Sequence, residues 1–146
     1  RISHCIWIIF LPPIKMEIKL TGTFQVDLIP QTITIDHTTS LEAGRMIIDK
    51  TFDGPLEGQS NGEMMSILNA TKSAGGYVAV EIFEGTLEGI PGSFAMQHYG
   101  KFDSAGQSLT LEILPGSGEG ELATIKGSMD ILVEEGVHYY DLTVEV

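Results

Sequence analysis

The sequence predicts an all-β protein in which one antiparallel meander of about eight strands closes into a barrel, with little helix. Two observations predict this fold class. Apolar and polar residues alternate strictly along several stretches, so that the apolar side chains of a stretch share one face of a strand. Clusters of Gly, Pro, Asn and Asp separate these stretches, as expected for strands joined by turns. Closure into a barrel is favoured because it leaves no exposed strand edges.

The strands can be placed in order along the chain. The first is predicted over residues 17–28, where the residues of inward parity are Ile18, Leu20, Phe24, Val26 and Leu28. Residues 30–43 are the least regular segment, and they fit a short strand or a helical turn. Seven further strands are predicted at 44–54, 60–71, 76–88, 92–103, 107–114, 119–133 and 137–146. Short turns at 89–92, 103–106 and 134–136 predict hairpins, so strand order in space should largely follow chain order.

The composition limits the classes of function. A chain of 146 residues with 42% hydrophobic content suits one domain with a single core. The formal net charge of −12 disfavours nucleic acids and anionic membranes as partners, because both repel an acidic protein. The lone Cys5 excludes an internal disulfide, and no Cys/His cluster supports structural zinc. We therefore expect a cytoplasmic protein without a cofactor that binds neither nucleic acid nor membrane.

Residues 1–15 differ from the rest of the chain. They contain the only Trp, the only Cys and no acidic residue, and their apolar run ends at Pro12 and Pro13. This run is too short to span a bilayer, whereas the first alternating strand begins directly after Met16. We expect residues 1–15 to be a disordered, non-native or upstream extension and residues 16–146 to form the single barrel domain. A degenerate export signal and an additional strand are the alternatives.

Four segments of the chain carry a family resemblance. They are DKTFDGPLEGQSNGEMMS at 49–66, GYVAVE at 76–81, GTLEGIPGSFAMQHYG at 85–100 and PGSGEGELATIKG at 115–127. Together they resemble a bacterial family catalogued as domain of unknown function 3224, over about residues 16–146. The resemblance implies a barrel like that of allene oxide cyclase, and it implies no established activity and no catalytic residues. Glu119 departs from the family pattern, which tends to have a small or hydroxyl residue at that position.

Strand parity places three ionisable side chains inside the barrel. Lys50 shares the inward parity of the second strand, Glu81 that of the fourth and His98 that of the fifth. The other residues of these three inward faces are Met46, Ile48, Phe52, Tyr77, Ala79, Phe83, Leu87, Phe94, Met96 and Phe102. Glu63 on the third strand is a further candidate, although its segment is apolar on both faces. His138 and Tyr140 share inward parity on the last strand, near a mouth of the barrel.

These interior charges allow two interpretations. In the first, Lys50 and Glu81 form a buried ion pair, closed by His98, that fixes strand register without chemistry. In the second, the groups line a pocket in which Glu81 or His98 moves a proton or orients the polar head of a ligand. A metal site of His98, Glu81 and Glu63 lacks a tight ligand motif, so no metal is predicted.

Three functions from different classes follow. We rank first a barrel that binds a small apolar or amphipathic ligand, with Lys50, Glu63, Glu81, His98 and Tyr140 as candidate ligand-binding residues. The alternatives are a cofactor-independent isomerase or cyclase that uses Glu81 and His98 as catalytic residues, and a structural or assembly barrel with a buried Lys50–Glu81 pair and no ligand.

The outward parity of the fourth strand is also apolar, at Val78, Val80 and Ile82. Exposure of such an apolar patch to water is unfavourable, so we expect another surface to cover it. A homo-oligomer through this face is the favoured interpretation, and a helix formed by residues 30–43 is the main alternative.

Overall fold

The computed structural model of the protein describes residues 16–145, and it confirms the predicted fold class. The strands in this range are β1 (Glu17–Gln31), β2 (Glu42–Asp53), β3 (Leu56–Leu68), β4 (Gly75–Leu87), β5 (Ile90–Asp103), β6 (Gly106–Ile113), β7 (Glu119–Gly120), β8 (Lys126–Glu134) and β9 (Val137–Glu145). Eight of them form a closed antiparallel barrel in the order β1, β2, β3, β4, β5, β6, β8 and β9, and β9 pairs again with β1. The two-residue β7 pairs with the start of β5.

Two sequence-based expectations about the elements need correction. The predicted strand 119–133 is two strands, because Gly120 adopts a left-handed φ of 67° and the chain then turns the buried Leu122 and Ile125 into the core. In residues 30–43, β1 continues to Gln31 and residues 32–41 form an irregular connection rather than a strand or helix. The expectations for residues 1–15 lie outside the described part of the chain. No helix within residues 16–145 is long and apolar enough to cross a membrane.

Two of the predicted hairpins have turns that only certain residues accept. Leu87 pairs with Ile90 across Glu88 and Gly89, whose φ angles are 49° and 78°. Glu134 pairs with Val137 across Glu135 and Gly136, with φ angles of 50° and 79°. Two successive left-handed residues define a type I′ turn, whose twist matches that of the strands it joins. The Glu-Gly dipeptides therefore fix the register of both hairpins.

The barrel has a closed end and an open end. The closed end carries the β2–β3 and β4–β5 turns and residues 114–125, whereas the open end carries the β1–β2 connection at 32–41 and the β3–β4, β5–β6 and β8–β9 connections. The apolar core consists of Phe24, Phe52, Leu56, Phe83, Leu87, Phe94, Met96, Leu111, Ile113, Leu122, Ile125, Met129, Tyr140, Leu142 and Val144. Towards the open end, the inward-facing Met46, Met64 and Leu109 are only half-buried. Burial of the interior therefore decreases from the closed end to the open end.

The inward parity predicted for β2, β4 and β5 agrees with the structure apart from Phe102. Ile48, Phe83 and Met96 are all buried, as parity predicts. Phe102 is 37% exposed, because it lies beside the β5–β6 turn, where Gly75 and Gln107 are its neighbours across the two ladders.

Residues 114–120 complete the edge of β5 beyond the end of β6. The Ser117 hydroxyl accepts a hydrogen bond from the Ala95 N–H at 3.0 Å and donates to the Leu114 carbonyl at 2.7 Å. β6 itself meets β8 through one bridging pair, Glu112 with Ser128. The side chain of Ser117 thus satisfies the Ala95 N–H, which lies beyond the last ladder pair of β5 with β6, Met96 with Ile113.

Candidate functional site

The interior charged residues form one buried polar cluster near the open end, which we call the interior cluster. It contains Lys50 on β2, Ser60 on β3, Glu81 on β4 and His98 on β5. Each of these residues is at most 6% exposed. Lys50, Glu81 and His98 lie inside the barrel, as strand parity predicts.

Glu81 is the centre of the interior cluster. Its Oε2 accepts a hydrogen bond from Lys50 Nζ at 3.0 Å and lies 2.7 Å from His98 Nε2. Its Oε1 accepts a hydrogen bond from the Ser60 hydroxyl at 2.6 Å. Both carboxylate oxygens are therefore satisfied, as a buried anion requires.

The cluster continues from His98 to the half-buried Tyr77, whose hydroxyl oxygen lies 2.9 Å from His98 Nδ1. Because Nε2 faces an ionised carboxylate, Nε2 carries a proton and donates it to Glu81. In the neutral imidazole Nδ1 is then an acceptor, so the Tyr77 hydroxyl donates to it. A continuous chain of hydrogen bonds runs from Lys50 through Glu81 and His98 to Tyr77.

The electrostatics of the cluster favour an ionised Glu81. Burial alone would raise the pKa of Glu81, but the hydrogen bond from His98 and the charge of Lys50, together with the Ser60 hydrogen bond, lower that pKa from 4.5 to about 2. Burial and the negative charge of Glu81 raise the pKa of the Tyr77 hydroxyl. Lys50 Nζ also lies 4.9 Å from the centroid of the Phe24 ring, which adds a cation–π contact.

Glycines opposite the functional residues make room for them. Gly62 pairs with Glu81, and a Cβ on Gly62 would lie 2.6 Å from the Glu81 Cβ. A Cβ on Gly100 would lie 2.6 Å from an edge carbon of the Tyr77 ring. No buried side-chain nitrogen or oxygen of the described residues lacks a hydrogen-bond partner.

Sequence reasoning missed two members of this network. Ser60 lies directly opposite Lys50 in the β2–β3 ladder, so it shares the inward face, but the apolar segment that follows it made the parity of β3 ambiguous. Tyr77 was predicted to face inward, yet its hydroxyl was given no role. The sequence did contain a signal for this contact. Tyr77 lies on the inward face of β4, two residues before Ala79, and Ala79 is the ladder partner of His98.

Glu63 does not belong to the interior cluster, and this prediction is corrected. Because Ser60 and Leu56 face inward, odd-numbered residues of β3 face outward. Glu63 is exposed and forms an ion pair with Arg45 at 2.5 Å. The hypothetical metal trio of His98, Glu81 and Glu63 is therefore not brought together. Within residues 16–145 no three His, Cys, Asp or Glu side chains are grouped so that they could hold a metal ion.

Tyr140 faces inward but is committed to the backbone of the β2–β3 turn. Its hydroxyl accepts a hydrogen bond from the Leu56 N–H at 3.0 Å and can donate to the Asp53 carbonyl at 3.0 Å. The fully buried Tyr140 thus joins β9 to this turn at the closed end, and its hydroxyl is not part of the interior cluster. His138 is half-buried, with its ring centroid 5.1 Å from that of Phe24.

Comparison with known proteins identifies the family. The family model described as Protein of unknown function (DUF3224) matches residues 20–144. The chain belongs to this family. A crystal structure of a DUF3224 protein with unknown function from Shewanella oneidensis MR-1 is similar to this chain, with 42% sequence identity and a TM-score of 0.85, and the match covers 88% of this chain and 96% of that chain. No protein with a curated description matches the chain. The DUF3224 resemblance is confirmed, whereas the likeness to allene oxide cyclase stays a prediction.

Proposed function

We propose that this DUF3224 protein binds a small, apolar or amphipathic molecule in the open end of the barrel, with the Tyr77 hydroxyl as the polar anchor. The observation that carries the proposal is the hydrogen-bonded chain from the buried Lys50 and Glu81 through His98 to the hydroxyl of Tyr77, a residue that is only half-buried. A purely structural ion pair closed by His98 needs Lys50, Glu81 and His98, but it does not need the contact between His98 and Tyr77. The extension through His98 to Tyr77 suits a group that is held in place for an incoming molecule.

The side chains that line the open end of the barrel favour an apolar ligand. Met46, Met64 and Leu109 face inward there and keep part of their surface accessible, and Leu28 and Val133 on the inward faces of β1 and β8 are exposed. Covering this surface with an apolar molecule would remove it from water. The flexible methionine side chains can adjust to the shape of the ligand.

The hydrogen-bond directions define the polar group of the ligand. When the neutral His98 ring carries its proton on Nε2, the Tyr77 hydroxyl donates to Nδ1, and its oxygen offers lone pairs to a bound molecule. A ligand with a hydroxyl or amine donor would satisfy that oxygen. Since Lys50 and Glu81 neutralise each other, the cluster favours a ligand without net charge.

Fluorescence titration with N-phenyl-1-naphthylamine, an apolar molecule with one N–H donor, tests this proposal. We expect saturable binding by the wild type, with emission shifted to the blue. Tyr77→Phe should weaken binding about tenfold, because one net hydrogen bond contributes about 1.4 kcal/mol. The control Tyr99→Phe changes an exposed tyrosine on the outer face and should leave the affinity unchanged. Absence of saturable binding, or a loss caused by Tyr99→Phe instead, would contradict the proposal.

The isomerase or cyclase alternative is less favoured by the geometry. A general base works best when its pKa lies near the working pH, and the pKa of Glu81 is about 2. Glu81 also has both oxygens occupied by Lys50, His98 and Ser60. These contacts suit the positioning of Tyr77 through His98 better than proton abstraction by Glu81.

A further inference from the structure

The outer face of the barrel carries an apolar patch centred on β4. Val78, Val80 and Ile82 are 60%, 56% and 60% exposed. Across the two ladders, Val78 has Met65 and Tyr99 as neighbours, and both are exposed as well. We call Met65, Val78, Val80, Ile82 and Tyr99 the outer patch. A contiguous apolar surface of this kind marks an interaction site in a water-soluble domain.

The outer patch has no unbalanced charge at its centre, although the chain carries a net charge of −12. Glu63, the neighbour of Val80 on β3, is paired with Arg45, and the neighbour on β5 is the neutral Gln97. Two acidic copies of the chain would repel each other at most other surfaces. Such repulsion is small at the centre of the outer patch, because its one acidic neighbour, Glu63, is paired with Arg45.

Two residues of opposite charge lie at the two ends of the outer patch, at equal spacing from Val80 along the strand direction. Lys101 lies opposite Gly76, four residues before Val80, and Glu84 lies four residues after Val80 on the same outer face. A two-fold axis through Val80 that sets the two copies of β4 antiparallel brings Lys101 of each copy to the level of Glu84 of the other. A closed dimer requires such a self-complementary arrangement.

The outer patch also contains a groove that can receive one of its own exposed side chains, that of Ile82. A groove of about 390 Å³ lies beside β4, and its lining includes Met65, Val78 and Tyr99. The same two-fold axis brings Ile82 of one copy to the level of Val78 of the other, where the groove lies. We infer that the outer patch binds a second copy of this chain, with Ile82 of each copy seated in the groove of the other.

Sedimentation velocity over a range of protein concentrations tests the inference. The wild type should sediment as a dimer. Ile82→Lys places an unpaired charge in the groove and should raise the dissociation constant at least about a hundredfold. The control Leu132→Lys changes an apolar residue on the outer face of β8 that is 52% exposed, and it should remain dimeric. Unchanged melting temperatures would show that both variants fold.

A charge exchange tests the two-fold arrangement itself. Lys101→Glu should weaken the dimer, and the double variant Lys101→Glu with Glu84→Lys should restore it. A monomeric wild type, or a dimer that survives Ile82→Lys, overturns the inference. Loss of the dimer in Leu132→Lys alone would also overturn it by placing the interface elsewhere. Failure of the double variant to restore association would rule out the arrangement about Val80.

Discussion

Glu81 is the residue on which the interior cluster depends, because it accepts hydrogen bonds from three neighbours. Glu81→Gln leaves the ammonium of Lys50 buried without a counter-charge, so we expect a loss of about 3–5 kcal/mol in the free energy of unfolding. Lys50→Met combined with Glu81→Gln should recover much of this loss, since no buried charge remains. Urea denaturation of the wild type, both single variants and the double variant measures the coupling. Glu57→Gln is the control, because Glu57 is exposed on the adjacent strand β3.

A loss as large in Glu57→Gln as in Glu81→Gln would contradict this account. If the double variant were no more stable than Glu81→Gln, Lys50 would not be paired with Glu81 in solution. The cation–π contacts with Phe24 and Phe52 would then account for the burial of Lys50.

The pKa of Glu81 also predicts a dependence of stability on pH. The pKa is about 2 in the folded protein and 4.5 as an isolated group, so the unfolded chain takes up the proton first as the pH falls. The stabilisation by ionised Glu81 is therefore complete above about pH 4.5 and is lost as the pH falls towards 2. Over this range we expect the free energy of unfolding to decrease more steeply in the wild type than in Glu81→Gln. Equal slopes in chemical denaturation across this range would show that Glu81 is not stabilised as an anion.

At the scale of the elements, one side chain joins strands that are far apart in sequence. Tyr140 on β9 bonds the turn between β2 and β3, and a Cβ on Gly22 of β1 would lie 2.2 Å from its hydroxyl. We expect Tyr140→Phe to cost about 1–3 kcal/mol, because the buried N–H of Leu56 loses its acceptor. Tyr139→Phe, at the half-buried neighbouring position, should cost less. Thermal unfolding compares the two variants, and equal melting temperatures would contradict the role of the hydroxyl.

Most elements were predictable because strand periodicity is a local property. The alternation in β2, β4 and β5 placed Lys50, Glu81 and His98 inside without any knowledge of the neighbouring strands. The division of 119–133 into β7 and β8 depends on the left-handed backbone of Gly120 and on tertiary contacts of Leu122 and Ile125, and the alternation of residues shows neither. The same holds for Glu63, because the inward face of β3 is decided by its ladder with β2.

At the scale of the whole molecule, the interior changes in character along the barrel axis. Aromatic rings fill the middle and the closed end, where Phe52 lies 5.7 Å from Phe83 and 5.6 Å from Tyr140 between ring centroids. The interior cluster lies nearer the open end, between this core and the half-buried methionines. Parity predicted which side chains face inward, but it could not predict this gradient, because depth along the axis depends on how the strands are staggered.

The outer face of the barrel was likewise predictable only in part. The apolar outward parity of β4 was visible in the sequence, whereas the helix considered as its cover is not formed by residues 32–41. Lys101 and Glu84 lie on different strands, and only the ladder between β4 and β5 shows that they lie at levels four residues to either side of Val80.

The ladder between β1 and β9 has a consequence for the order in which the protein is made. Glu17 pairs with Glu145, so the first and last described strands share one set of hydrogen bonds. The ribosome releases β1 well before β9. Until β9 has been released, the first half of β1 is an unpaired edge of the sheet. Hairpins such as β2–β3 and β4–β5 need only neighbouring strands and can form during synthesis. Closure of the barrel must wait until β9 has been synthesised, and a chain that lacks β9 retains an edge that is open to pairing with other chains.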